Sequence, residues 1–452
     1  MKKLPFRLTV VPAFLFLCLV TGGSSQGVWA NMGLQLVAVA ILGWSLLGRR
    51  SDDLTGASRQ MVALIFAAGA VVALQLLPLP GTVWEALPGR DRIAEGFRSL
   101  GYLLPSLSVS LTPYATVATI VAVLPALAVF VATMRSWQRQ GLLAASILLA
   151  AFAGVFLGAL QVGAGGTESP WHLYEITNYG AVGFFANSNH MGSLLLVCIP
   201  FAVALLASSI SRRKTDGSTV GMMALGIAGL LVVLAGLVLN RSLAALGIAL
   251  PVLLFSALLL PGGWKFRRLA VPTGGIALAA AMLFLVRSAP WAAQSGSEYA
   301  SVQTRAEMWS KTGELAQHYF PVGSGLGSFT SVFRLSEDPA TVGLKYVNHA
   351  HNDYLELLLE LGAPGAILLV LFLAWWAVQT VRVWRSGLTG YYARAATIAS
   401  GALLAHSLVD YPLRTAALSS IFGMCLAFMA QPKPPKEAVA GDRRGARHMA
   451  IG

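Results

Sequence analysis

The sequence predicts an all-α fold: a polytopic membrane helical bundle of about twelve transmembrane helices, with a large, partly helical periplasmic loop. Three observations predict it. Of the 452 residues, 56% are hydrophobic and only 11% are charged, against about 25% charged in a soluble domain. The apolar residues fall into blocks close to the ~20 residues that one membrane crossing requires. Most of the 32 Lys and Arg sit in short loops that alternate with the blocks and so share one side of the membrane, the pattern that sets topology.

Taken in chain order, the blocks give spans at 8–22, 29–48, 60–77, 113–134, 141–163, 185–207, 220–239, 243–260, 269–287, 354–379, 393–409 and 415–430. The first is short and follows Lys2, Lys3 and Arg7. It reads either as a signal peptide or as an uncleaved span, and no exported soluble domain follows it, which favours the span. An even number of spans puts both termini on one side, and the basic loops on that side make it the cytoplasm. Residues 1–183 then form an N-terminal set of helices with an outer loop near 78–112. Residues 184–430 form a core that includes a periplasmic loop at 288–353, and 431–452 are a basic cytoplasmic tail. Every cytoplasmic loop is brief, so chemistry that needs a folded loop belongs outside.

The net charge of +13 does not indicate nucleic acid, because the basic residues are dispersed between spans and not gathered into one patch. Cys18, Cys198 and Cys425 all lie inside apolar blocks, too few and too scattered for disulfides or a thiolate metal site.

Ionisable residues in or beside spans are costly and default to functional candidates. Arg241, in Leu239-Asn240-Arg241-Ser242, stands at a tight outer turn. It reads as a snorkelling arginine or as a clamp for phosphate oxygens, which a guanidinium fork matches. In TRAEMWSKTGELAQHYFPVGSGLGSF, Arg305 opens an amphipathic helix, either as a solvated charge or as a second clamp. Gly323, Gly325 and Gly327 read as a flexible turn. In NHAHNDYLELLLELGAPG, residues 348–365, His349, His351, Asn352 and Asp353 meet a span, followed by Glu356 and Glu360. The two His lack the i, i+4 spacing of a helical zinc pair, so a base or a sugar-binding donor is the better reading than a metal ligand. Arg241, Arg305 and Arg414 are candidate partners for the acidic stripe. In HSLVDYPLR, residues 406–414, Asp410 stands four residues before Arg414, a spacing that also suits a plain ion pair.

At these residues the chain resembles the O-antigen ligase/polymerase superfamily. His351-Asn352 is followed by nine residues, then Gly362, two residues and Gly365, a spacing similar to the ligase pattern. FFANSNHMGSLLLVCIPF (184–201), LNRSLAALGIAL (239–250) and TRAEMWSKT with PVGSGLGSF resemble further family segments. The similarity covers roughly 184–378, and the N-terminal third shares only its hydropathy. The resemblance implies a metal-independent, inverting glycosyltransferase without cofactor in the bacterial inner membrane. Its donor is a polyprenyl-diphosphate-linked glycan, held by Arg241 and Arg305, and His351 is the catalytic base. His349, Asn352, Asn189 and Asp410 support substrate binding. The acceptor is lipid A–core, a lipid-linked glycan or a protein. The rival from another class is a secondary transporter or flippase of lipid-linked glycans. Such proteins concentrate their polar residues at the midplane, whereas here they gather at the outer rim.

Overall fold

The computed structural model describes residues 9–25, 28–47, 54–135, 140–175, 181–211, 217–261, 295–337, 347–386 and 390–430. They form an all-α membrane bundle. In chain order the helices are α1 Val10–Thr21, α2 Trp29–Leu47, α3 Gly56–Gln75, α4 Gly81–Glu85, α5 Asp91–Ser99, α6 Pro113–Ala122, α7 Leu124–Arg135 and α8 Gln140–Gly163. Then follow α9 Ser188–Ile210, α10 Gly217–Asn240, α11 Leu243–Ala257, α12 Ser295–His318, α13 Phe329–Ser336, α14 Asp353–Arg385, α15 Tyr391–His406 and α16 Ala416–Ala430. A two-residue ribbon, β1 (Pro78–Leu79) with β2 (Leu107–Ser108), closes the base of the loop between α3 and α6.

Among the described residues, seven helical segments are long and apolar enough to cross a membrane, and α1, α11 and α16 are shorter apolar helices. Every expected span except 269–287 coincides with a described helix. That segment lies outside the described residues, as do the 431–452 tail and residues 288–294 and 338–346 of the 288–353 loop. The span expected at 113–134 is two helices that meet at Val123. Pro125 stands in the first turn of α7, where its missing N–H costs no helical bond.

Helix α9 is the axis of the bundle. Nearly all its residues are buried, and it packs against α8, α10, α11 and α15. Helices at the periphery keep large apolar side chains exposed, among them Leu36, Phe66 and Val370. That is what a lipid solvent permits.

The connections 78–112, 295–337 and 347–352 gather at one end of the bundle, together with the turns after α10 and α15. Leu111 N–H donates to Ser324 O (2.9 Å), Trp309 Nε1 to Ala350 O (2.9 Å), and Asp353 N–H to Ser407 O (2.9 Å). A satellite core of Leu315, Tyr319, Phe329, Val332, Phe333 and Leu359 fixes this end. Each such buried side chain contributes about 1.5–3 kcal/mol. Arg90, fully buried, ties the first loop to the second through Val109 O (2.6 Å) and Gly323 O (3.0 Å), beside the rings of Trp84 and Tyr319. Burial pulls its guanidinium down to about 10, still cationic at neutral pH.

Candidate active site

Four segments meet at this end: the start of α9, the turn between α10 and α11, the stretch entering α14, and the turn after α15. Asp410 is their common point. It is fully buried. Its Oδ1 accepts from the Tyr411 backbone N–H (2.9 Å) and faces His351 Nδ1 (3.1 Å), while its Oδ2 accepts from Asn189 Nδ2. Asn189 Oδ1 in turn accepts from Ser242 Oγ (2.7 Å). Ser242 also caps α11 through Ala245 N–H. Its chain neighbour is Arg241. A hydrogen-bonded chain therefore runs His351, Asp410, Asn189, Ser242, and ends beside Arg241.

Burial works against ionisation of Asp410, but the bond with His351 and the surrounding imidazoles outweigh it and hold the carboxyl below its ordinary range. An ionised Asp410 accepts a hydrogen bond from Nδ1–H of His351, which leaves Nε2 of that ring as the basic nitrogen. The His351 side chain is 20% exposed, so its free edge is reachable.

Among the described residues, the non-glycine residues with positive φ are Arg241 (+59°) and His351 (+49°). The left-handed region costs a side-chain-bearing residue of order 1–3 kcal/mol and is retained mostly at functional sites. Both are residues singled out from the sequence.

The other expected site residues have defined places. His349 Nδ1 meets Glu356 Oε1 (2.9 Å), and its ring lies 4.2 Å from that of Tyr411. Asn352 caps α14 by accepting from Tyr354 N–H (3.1 Å) and Leu355 N–H (3.0 Å). Arg305, on α12, is half-buried and acts electrostatically on His406, whose Nδ1 is bonded to Ser193 Oγ (2.7 Å). Arg305 is thus within electrostatic reach of the His406–Ser193 pair.

The acidic stripe has found its partner. Arg414 reaches Asp353 (3.4 Å), Glu356 (3.2 Å) and Glu360 (3.2 Å). Of the three arginines expected from the sequence, Arg414 supplies the charge. The simple Asp410–Arg414 pair suggested by their spacing is replaced: Arg414 turns to the stripe and Asp410 to the imidazoles. Burial opposes the charge on Arg414, but Glu356, Glu360 and Asp353 outweigh it and hold the guanidinium well above its ordinary range.

Below this stripe α14 breaks at Gly362, whose φ of 59° and ψ of −142° are non-helical. Pro364 has no N–H to offer Glu360 O. The loop 321–325 takes over the freed groups. Ser324 N–H donates to Leu359 O (3.0 Å), Gly325 N–H to Glu360 O (2.9 Å), and Ala363 N–H to Pro321 O (2.8 Å). Gln75 Nε2 adds a second bond to Glu360 O (2.9 Å). The glycine turn expected to be flexible is instead docked against the helix. A Cβ at Gly323 would collide with the Glu360 carbonyl, and one at Gly362 with the Pro321 carbonyl.

Several contributors escaped the sequence reading. Gln75 passed as one polar residue at a span end, and its partner lies 285 residues away. His190 and Ser193 were part of an Asn-rich block but carried no spacing signal of their own. Among the described residues no group of three His, Cys, Asp or Glu is arranged to hold a metal ion.

Residues 215–370 match the family model described as O-Antigen ligase. The match covers about a third of the chain and supports membership of the O-antigen ligase superfamily. No curated protein matches the chain. The matched segment contains Arg241, Arg305, His349, His351 and Asn352, and it ends just past the Gly362 break. Asn189, Asp410 and Arg414, which hold that segment from outside, lie beyond it. The match supports, in general terms, glycan transfer of the O-antigen ligase and polymerase kind, from a lipid-linked donor to a glycan acceptor.

Proposed function

We propose that this protein transfers a glycan from polyprenyl diphosphate to an acceptor hydroxyl at the periplasmic face of the inner membrane, with both termini in the cytoplasm. The observation that carries the reading is the buried Asp410 carboxylate on His351 Nδ1 (3.1 Å). It leaves Nε2 as a base at a reachable edge, one hydrogen-bonded chain away from Arg241. In the step, His351 Nε2 takes the acceptor hydroxyl proton as that oxygen bonds to the anomeric carbon. The bond from that carbon to the phosphate oxygen breaks on the opposite face, and its electron pair leaves with the diphosphate. Attack from the opposite face inverts the anomeric centre. The developing charge is assigned to Arg241 and Arg305, so the reading asks no metal to neutralise it.

His349 and Asn352 belong to this site as supports of substrate binding. Their observed bonds, to Glu356 and to the first turn of α14, place the two sides of His351. Asn189 orients Asp410. The acceptor remains one of three classes: lipid A–core, a second lipid-linked glycan, or a protein hydroxyl.

The test is transfer in proteoliposomes with a synthetic polyprenyl-diphosphate glycan and each acceptor class in turn, in the presence of chelator. Wild type is expected to release polyprenyl diphosphate and form an inverted glycosidic bond. His351→Ala is expected to lose about 10²–10⁴-fold in kcat, the usual share of a general base. Full activity of folded His351→Ala removes the assignment of the base. Passage of intact donor across the bilayer without transfer moves the reading to a flippase.

A further inference from the structure

His190 is the third residue of α9 and lies beside Asp410. Its ring is 2% exposed, and among the described residues neither ring nitrogen has a hydrogen-bond partner. A buried polar group without a partner is costly and calls for a reason. Its Nε2 stands 3.9 Å from Asp410 Oδ1, the same oxygen that His351 faces at 3.1 Å. The ring is held edge-on against Tyr411 at 4.9 Å, and His351 meets that same tyrosine, also at 4.9 Å. Phe185 closes the other side at 6.5 Å.

From this geometry we propose that His190 is a positioning residue: a second imidazole that shares Asp410 Oδ1 with His351 and limits how strongly Asp410 acts on that base. The proposal rests on the reading of His351 as the base. His190 stays neutral, with its proton on Nε2, and donates to Oδ1 when the gap closes by about 1 Å to hydrogen-bond distance. Asp410 Oδ1 then divides its charge between two imidazoles, beside the Tyr411 N–H it already accepts from. When His351 tips toward an acceptor hydroxyl, Oδ1 keeps a side-chain donor, and the carboxylate neither swings nor protonates. The titratable groups facing His190 are Asp410 and Tyr411 from the turn after α15, His406 from α15, and His349 and His351 from the stretch before α14. None but Asp410 offers a carboxylate.

The deciding experiment is the titration of His351 followed by NMR, in full-length protein carrying ¹³C and ¹⁵N in its histidines and held in nanodiscs. The His351 signal is assigned by its loss in His351→Gln. His190→Leu and His190→Met remove the donor with two different shapes, and His190→Gln keeps an N–H near the Nε2 position. With the donor gone, Asp410 spends its charge on His351, and the midpoint is expected to rise by about half a pH unit or more. His190→Gln is expected to stay within about 0.2 unit of wild type. An unmoved or lowered midpoint in the donorless variants overturns the proposal, as does an equal rise in His190→Gln. Wild type alone gives a second check, needing no variant of His190 to fold: its ¹⁵N shifts must report the Nε2–H tautomer, and an Nδ1–H tautomer overturns the proposal. The acidic limb of the kcat profile is then compared, with donor KM expected to hold. If the NMR midpoint rises and that limb does not follow, the coupling stands and His351 is not the base.

Discussion

Arg414 carries one positive charge among three carboxylates at the head of α14. Breaking a buried ion pair from one side leaves the other charges desolvated, a loss of about 3–5 kcal/mol. Arg414→Met is therefore expected to lower stability by that order, measured by thermal unfolding in detergent, with Arg414→Lys between the two. A Lys keeps the charge but not the fork that serves Asp353 through Nε and the glutamates through Nη2. Asp410 makes a different prediction. Its folded pKa lies below the unfolded value of about 3.9, so its contribution is present above roughly pH 4 and is lost as pH falls through the folded value. Asp410→Asn is expected to flatten the fall in unfolding midpoint below about pH 4. At neutral pH it should also cost transfer about as much as loss of the base itself. His351 and Asp410 were legible in the sequence because charge beside a span is expensive and few residues bear it. Their pairing was not, because both Asp410 and Arg414 had a nearer partner in sequence than the one they take. Which bond forms is decided by where α9 and α14 begin, a tertiary matter.

At the scale of elements, the informative feature is the interrupted α14. The sequence reads one continuous span at 354–379, and the apolar pattern does run through. What breaks it is a positive-φ glycine followed by Pro364, with an external loop ready to accept the freed backbone groups. Only the partner loop makes the break affordable, since unsatisfied carbonyls within a membrane cost several kcal/mol each. Ser324, Gly325 and Gln75 supply those bonds from residues far away in sequence, and so no local reading could have found the break. Gly362→Ala is expected to destabilise the protein by about 2–4 kcal/mol. It forces a Cβ into a glycine conformation and against the Pro321 carbonyl. Transfer should fall more than stability alone predicts, because the same loop bonds hold the Glu360 carboxylate end of the stripe through Phe329 N–H. Equal losses in the unfolding midpoint and in kcat at a temperature where the variant is fully folded would contradict that link.

At the scale of the whole molecule, the charged loops and the loop-bearing end make one testable claim about sidedness. The far end of the bundle collects the cationic connections, with Arg59 on α3, Arg382 and Arg385 closing α14, and Arg394 on α15. The end with His351 collects the long loops and the carboxylates. By the positive-inside rule the far end is expected to face the cytoplasm, the orientation that the proposed function requires. Thiol labelling can decide this cleanly. Cys18, Cys198 and Cys425 are fully buried and are expected to stay silent to a membrane-impermeant maleimide in intact cells. Glu95→Cys, on the exposed face of α5, should label without permeabilisation. Gly390→Cys, exposed at the start of α15, should label only after the membrane is opened. The reverse pattern would turn the bundle over and place His351 in the cytoplasm, where a donor displayed in the outer leaflet could not reach it. In that case the base, the arginines and the acceptor classes assigned here would all fall together, although the helical bundle and its hydrogen-bonded cluster would be unchanged. Sidedness is thus the property on which the chemistry depends most and to which the packing is least sensitive.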